Sequence, residues 1–259
     1  MEHHEHSHHE KTHDPKRILT IRSHSGLSGD MLVAGLLFCT GIAQDDEAFE
    51  AMLSGIHPLL KGSVTLRKRF VSQIMGWQAV VDLPVEHEHR DFRMISAIIA
   101  DSSMHEQAKI LALETFHILT LAEAEVHGIP AEAVHFHEVG ALDSILDICL
   151  TCELFVRLQV DSLIVSPLPL ADGFVSCAHG ILPVPAPCVL ALLSGIAVRP
   201  FAGCGETVTP TAIALLRALH AEFGDWPTMR VEKTALVYGT KEFPNMPNGA
   251  TFAFGLSDE

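Results

Sequence analysis

Ile18-Leu19-Thr20-Ile21-Arg22, then Ser23-His24-Ser25-Gly26-Leu27-Ser28-Gly29-Asp30-Met31, then an apolar run through Cys39 closed by Gly41, is the stretch that decides the fold. The first five residues read as a short strand. The glycines and serines that follow form a turn, and Ser28 and Asp30 are helix-capping types at the head of an apolar helix that Gly41 stops. A strand, a glycine turn and a helix in immediate succession predict a sheet with helices packed on it. The rest of the 259 residues continues the alternation, so the fold class is α/β or mixed α+β, a single compact domain over residues 17–259.

Working outward, helices are expected over residues 45–56, 91–100, 105–127, 143–158 and 211–223. In the long one, Ile110, Leu113, Leu121 and Ala124 fall at core spacing, and Gly128 and Pro130 end it. Strands are expected over residues 162–165, 230–238 and 250–254, with a hairpin of 64–70 and 78–84 turning at Met75-Gly76. The proline-rich stretch 167–187 is expected to be a long, largely irregular loop, because proline removes ladder donors. No internal repeat is visible.

Charge excludes several functions. With 17 Lys+Arg against 32 Asp+Glu, the formal charge is −15, which repels nucleic acid and anionic lipid. The densest basic group is Arg67-Lys68-Arg69, and no apolar run approaches the roughly 18 residues of a membrane helix. Cysteines 39, 149, 152, 177, 188 and 204 are too sparse for a disulfide-stapled fold, so they read as free thiols in a reducing, cytoplasmic compartment. Cys149 and Cys152 form C-x-x-C inside an apolar helix and read as core.

Residues 1–16 form a separate polar tail, expected to be disordered without metal. His3, His4, His6, His8, His9 and His13 alternate there with Glu2, Glu5 and Glu10. Closely spaced imidazoles and carboxylates on a flexible chain can wrap nickel, zinc or copper with little selectivity. A purification tag is the alternative, though its histidines are usually unbroken.

Four further segments carry candidate chemistry. Ser25, Gly26, Ser28, Gly29 and Asp30, at a strand-to-helix junction, suit a phosphate, or else Ser28 and Asp30 merely cap the helix. His135, His137 and Glu138, followed by Asp143 and Asp147 one helical turn apart, form a cluster suited to a divalent metal or to proton transfer. Cys177 and His179, one residue apart in the proline-rich loop, are a soft-metal pair, or a buried thiol beside a surface imidazole. His87 and His89 share a face if extended, and Arg90 beside them is the right group for a phosphate or carboxylate, unless the segment is simply a solvated loop.

Taken together the motifs resemble a family. S-G-L-S-G-D-M (25–31), E-H-R-D (88–91), A-E-A-E-V-H-G (122–128), V-H-F-H-E-V-G-A-L-D-S-I-L-D-I (134–148), S-P-L-P-L (166–170), C-A-H-G-I-L-P-V-P-A-P (177–187) and T-P-T (209–211) are similar to LarC, the nickel insertion protein of nickel-pincer cofactor synthesis. The resemblance implies CTP-dependent insertion of nickel into pyridinium-bisthiocarboxylic acid mononucleotide, a cyclometallation that makes the cofactor of lactate racemase-type enzymes. On that reading His135, His137, Glu138 and Asp143 are the catalytic candidates. Ser25, Gly26, Ser28, Gly29, Asp30 and Arg90 are the candidates for binding the mononucleotide. His89, His135, His137, Asp147, Cys177, His179 and the tail histidines are the candidates for nickel.

The chain departs from the family at Arg22, commonly Asp, at Ala212, commonly Gly, and in a shortened glycine segment at Tyr238-Gly239-Thr240. Full-length members carry a C-terminal domain associated with CTP and a divalent metal, so a separate partner domain is expected. Two other readings keep the same residues: a nickel chaperone, store or non-catalytic paralogue, and a metal-dependent hydrolase of a small phosphorylated substrate. Deleting residues 1–14 is expected to lower the nickel bound per chain in equilibrium dialysis while leaving binding by the domain intact; an unchanged ratio refutes the tail's role.

Overall fold

In the computed structural model, which describes residues 15–84, 90–136, 140–177, 180–241, 243 and 247–257, the opening strand β1 (Arg17–Ser23) runs between two partners of opposite direction. On one side it pairs antiparallel with the last strand, from Arg17↔Leu256 to Ser23↔Ala250; on the other it pairs parallel with residues 162–165, Ile18↔Ser162 through Ile21↔Val165. The turn after β1 is laced to distant chain. His24 N–H donates to Gly249 O, Leu27 N–H to Thr207 O, and Thr209 N–H back to Leu27 O.

After that turn come α1 (Gly29–Thr40), α2 (Asp46–Ile56), β2 (Val64–Val71), β3 (Ile74–Val81), α3 (Phe92–Asp101), α4 (Glu106–His127) and α5 (Leu142–Leu158). Next are β4 (Ser162–Val165), β5 (Leu168–Cys177), β6 (Gly180–Val184), α6 (Pro187–Leu192) and β7 (Val198–Cys204). The chain then forms α7 (Pro210–Ala218), β8 (Glu222–Phe223), β9 (Arg230–Tyr238) and β10 (Gly249–Leu256). Seven strands make one mixed sheet in the order β2-β3-β9-β10-β1-β4-β8, and β6-β5-β7 make a second, smaller one. The mixed α/β expectation holds. Among the described residues no helix is long and apolar enough to cross a membrane.

The helix α1 has no polar face: Met31 to Leu37 are buried without interruption, because the helix packs on β3, β9 and β10 on one side and α5 on the other. Behind α5 lies α4, which also meets α7. In α4 the inward stripe is Ala108, Leu111, Ala112, Thr115, Phe116, Leu119 and Ala122, whereas Ile110 and Leu121 are 63% and 48% exposed. The expected core positions were therefore partly wrong. Small residues, not the largest ones, let α5 approach, and buried Thr115 satisfies itself by donating to Leu111 O. Cys149 and Cys152 lie in the α5 core as expected, and burial pushes the Cys149 thiol up to about 12.

Three other expectations are corrected. The β2–β3 hairpin turns at Ser72-Gln73, both with positive φ (47° and 66°), and Val71 pairs with Ile74. This is the two-residue primed geometry normally given to Asn-Gly, here built without glycine. Gly76 instead sits within β3, where a Cβ would come 2.5 Å from the Tyr238 ring. The proline-rich stretch is mostly strand and not an irregular loop. Pro169 needs no donor: its neighbour Leu168 bonds Ala197 O toward β7, while β6 pairs only with Gly173 and beyond. Pro183 and Pro200 lie on the edge strands. The last helix ends at Ala218, where His220 adopts a left-handed φ of 53° and Ala221 N–H closes onto Leu216 O, leaving β8 to pair with β4.

Buried Phe116 packs its ring 6.3 Å from that of Phe136, joining α4 to the segment before α5. Truncation, Phe116→Ala, is expected to cost about 3–5 kcal/mol in denaturant unfolding.

Candidate active site

The start of α1, the first turns of α5 and residues 206–211 converge with Arg67, Gln78, Thr240, Lys241 and Asn248 on one cleft of about 450 Å³. An adjoining lobe of about 570 Å³ shares Asp143, Glu206, Thr209 and Thr211 with it. The walls of that lobe are mainly apolar (Val126, Phe136, Val175, Leu182, Pro187), with Glu123, His127 and Cys188 among them.

At the floor, Gly29 and Asp147 interlock. A Cβ on Gly29 would lie 2.3 Å from Asp147 Oδ2, so only glycine lets the α5 carboxylate rest against the N-terminus of α1. The next residue, Asp30, accepts the Ser28 hydroxyl and the backbone amides of Met31 and Thr240. Burial nonetheless raises its pKa, and these bonds only moderate the rise. Asp30 Oδ2 is buried without a partner, as is Asn248 Oδ1. Burial also drives Asp147 well above the usual carboxylate range, and the negative charges of Asp30 and Asp143 push it further the same way. Among the described residues neither Asp30 nor Asp147 has a salt-bridge partner. Neighbouring carboxyls with no salt-bridge partner among the described residues are relieved by holding a proton or by taking up a cation.

The expected site residues divide into three sets. Ser28, Gly29, Asp30, Asp143 and Asp147 come together on the cleft, although the first three and the last two are over a hundred residues apart. Ser25, Gly26, Arg90 and His135 line neither lobe. The Ser25 hydroxyl donates to Pro247 O at 2.6 Å. Arg90 is 5% exposed and donates to Gly140 O at 3.0 Å, while its own carbonyl accepts Phe136 N–H, so it joins the E-H-R-D and H-x-H-E segments. His135 is exposed, and its backbone forms an isolated antiparallel bridge with that of Asp91, whose side chain caps α3 by accepting from Met94 N–H. His137, Glu138, His89, His179, the Cys177 side chain and the tail histidines His3, His4, His6, His8 and His9 lie outside the described residues. Among the described residues, no three His, Cys, Asp or Glu side chains are placed to hold a metal ion by themselves.

Sequence reasoning missed Glu206, Thr209, Thr211, Arg67, Lys241 and Asn248 as cleft residues. The T-P-T and A-E-A-E-V-H-G motifs signalled two parts of the lining, but nothing local in the chain tied Arg67 to them.

Residues 19–255 match the family described as nickel insertion protein. The chain is 36% identical over 247 residues to the pyridinium-3,5-bisthiocarboxylic acid mononucleotide nickel insertion protein of Geobacillus kaustophilus, covering 90% of this chain and 58% of that protein. The protein of the same description from Desulfitobacterium hafniense is 39% identical over 236 residues, 91% of this chain and 58% of its own. That from Staphylococcus epidermidis is 34% identical over 232 residues, 90% and 58%. The chain thus spans somewhat under two thirds of these relatives. No solved structure matches it significantly.

The raised carboxyls set a pH dependence. The folded chain holds the Asp147 proton more tightly than the unfolded chain, so stability falls as pH rises from the ordinary carboxylate range, about 4, through the raised folded value. Metal-free Asp147→Asn is expected to melt higher than wild type at neutral pH and to vary less across that window; thermal unfolding between about pH 4.5 and 8 checks it.

Proposed function

The chain belongs to the nickel insertion protein family, and from that premise we propose that it acts in inserting nickel into pyridinium-3,5-bisthiocarboxylic acid mononucleotide, as a CTP-dependent cyclometallase supplying lactate racemase-type enzymes. The observation that carries the reading is the Asp30–Asp147 carboxyl pair, half-buried on the cleft lining with no salt-bridge partner among the described residues and with both carboxyls raised by desolvation.

Nickel here is a substrate that must leave again. An incomplete set of hard oxygen donors suits that, because thiocarboxylate sulfurs bind a borderline metal more favourably than carboxylate does. Insertion makes one Ni–C and two Ni–S bonds and breaks one ring C–H bond. The C–H electron pair becomes the Ni–C bond, nickel stays divalent, and the proton needs an acceptor. A carboxylate made more basic by burial, Asp147 with Asp30 beside it, fits that acceptor role. Asp143 lines both lobes, which supports a role for it beside both metal and ring, and the apolar lobe offers a dry wall for the pyridinium. His137 and Glu138, two and three residues beyond His135, remain candidate ligands or acid-base groups, as do His89, Cys177 and His179. CTP and its divalent metal are assigned to a C-terminal partner domain. Among the described side chains no cysteine forms a disulfide, which suits a reducing cytoplasm.

The test is to incubate the chain with nickel, CTP and the metal-free dithio mononucleotide, with and without a C-terminal partner domain, and to follow nickelated product by mass spectrometry. Asp30→Asn and Asp147→Asn are expected to lower the product rate roughly 100- to 10,000-fold. Product formation untouched by either overturns the carboxylate role. No product in any combination overturns the enzyme reading and leaves a nickel carrier. Full activity in both His135→Ala and His137→Ala removes those histidines from the mechanism.

A further inference from the structure

The cleft is not uniformly acidic. Arg67, from β2, and Lys241, just after β9, stand on the lining opposite in sign to Asp30, Asp143, Asp147 and Glu206. We infer that Arg67 and Lys241 bind the phosphate of the mononucleotide substrate, and that the glycine turn at the head of α1 does not. The inference rests on the nickel-insertion reading above and deepens it.

Three observations carry it. First, several donors of the turn are already engaged. Leu27 N–H is bonded to Thr207 O, the amide of Met31 is taken by the Asp30 carboxylate, and the Ser28 hydroxyl also goes to Asp30. A phosphate there would face two raised carboxyls at close range.

Second, the basic pair has donors to spare and is held in place. Among the described residues, the Arg67 guanidinium makes one long contact, 3.5 Å to Gln78 Oε1, and most of its five N–H groups remain for a ligand. Lys241 Nζ is steered to the rim by Glu206 O at 2.5 Å and lies 5.1 Å from the centre of the Phe243 ring. Arg69, two residues along the same face of β2, donates to Gly239 O at 2.6 Å and ties the strand to the segment that presents Thr240 and Lys241.

Third, that segment joins the acidic and the basic parts of the lining. Thr240 N–H bonds the Asp30 carboxyl and the next side chain is the rim cation, so the acid floor and the basic rim are in fixed register. A ligand with a metal-accepting head and an anionic tail matches this order of charges; a neutral nucleoside does not.

Calorimetric titration of the full chain with nicotinic acid mononucleotide, and with the phosphate-free nicotinic acid riboside, tests the assignment. Wild type is expected to prefer the mononucleotide by about tenfold or more. Arg67→Gln and Lys241→Gln are each expected to remove most of that preference and to leave riboside binding unchanged. Lys68→Gln, the same charge change on the opposite face of β2, is expected to behave as wild type. Mononucleotide affinity unaltered in both Arg67→Gln and Lys241→Gln overturns the inference, as does equal loss of mononucleotide and riboside. CTP displacing the mononucleotide from wild type assigns the pair to a triphosphate and also overturns it. A wild type that forms nickelated product but shows no phosphate preference overturns this inference alone; a wild type that binds neither probe and forms no product overturns the function as well.

Discussion

The side of α5 that carries Asp147 can lie against the N-terminus of α1 only because Gly29 has no side chain, and the arrangement of the cleft follows from that contact. It brings a second carboxylate beside Asp30 where burial disfavours charge and where neither has a cationic partner among the described residues. The positive end of the α1 dipole eases this for Asp30, which accepts first-turn amides. Asp147 has no such bonds, and its proton affinity rises further. A protein selected for stability alone would place asparagine or an apolar group at such a position. Keeping two acids close together across two helices is what the proposed passage of nickel through the cleft calls for.

The scaffold keeps that contact in place by burying α1 on every side. With the sheet below it and α5 above, the helix has no polar face and no freedom to roll, so the direction of Asp30 is set by core packing. The turn ahead of it is bound to residues 207–209 on one side and to Gly249 on the other. The second sheet then supplies Val175 and Leu182 to the apolar lobe, and Pro187 follows it at the head of α6. One lobe carries charge and the other excludes water, and they meet at Asp143, Glu206 and Thr209–Thr211.

Much of the element order was readable along the chain. Residues 162–165 and 230–238 are strands with the bounds expected, since β-branched runs between turn residues carry their own propensity. The misreadings share a cause. Gly76 resembles a turn residue until Tyr238 is laid against it, and the prolines resemble strand breakers until the partners of β5 are known. In α4 hydropathy selects Ile110, whereas the real seam needs Ala108 and Ala112. Each depends on a neighbour far off in sequence.

The site divides along the same line. By itself the sequence determined the class of the fold, the strand–turn–helix that opens it, and the acidic and histidine-bearing motifs, because these are written in local spacing and residue type. Only the tertiary structure decided that Asp30 shares its space with Asp147, that Arg90 is an internal brace rather than a cleft residue, and that Arg67 and Lys241 line the same cleft as the acids. Charge and burial acquire their chemical meaning from what lies within a few ångströms, and that is set by how helices and strands pack, which local pattern does not encode.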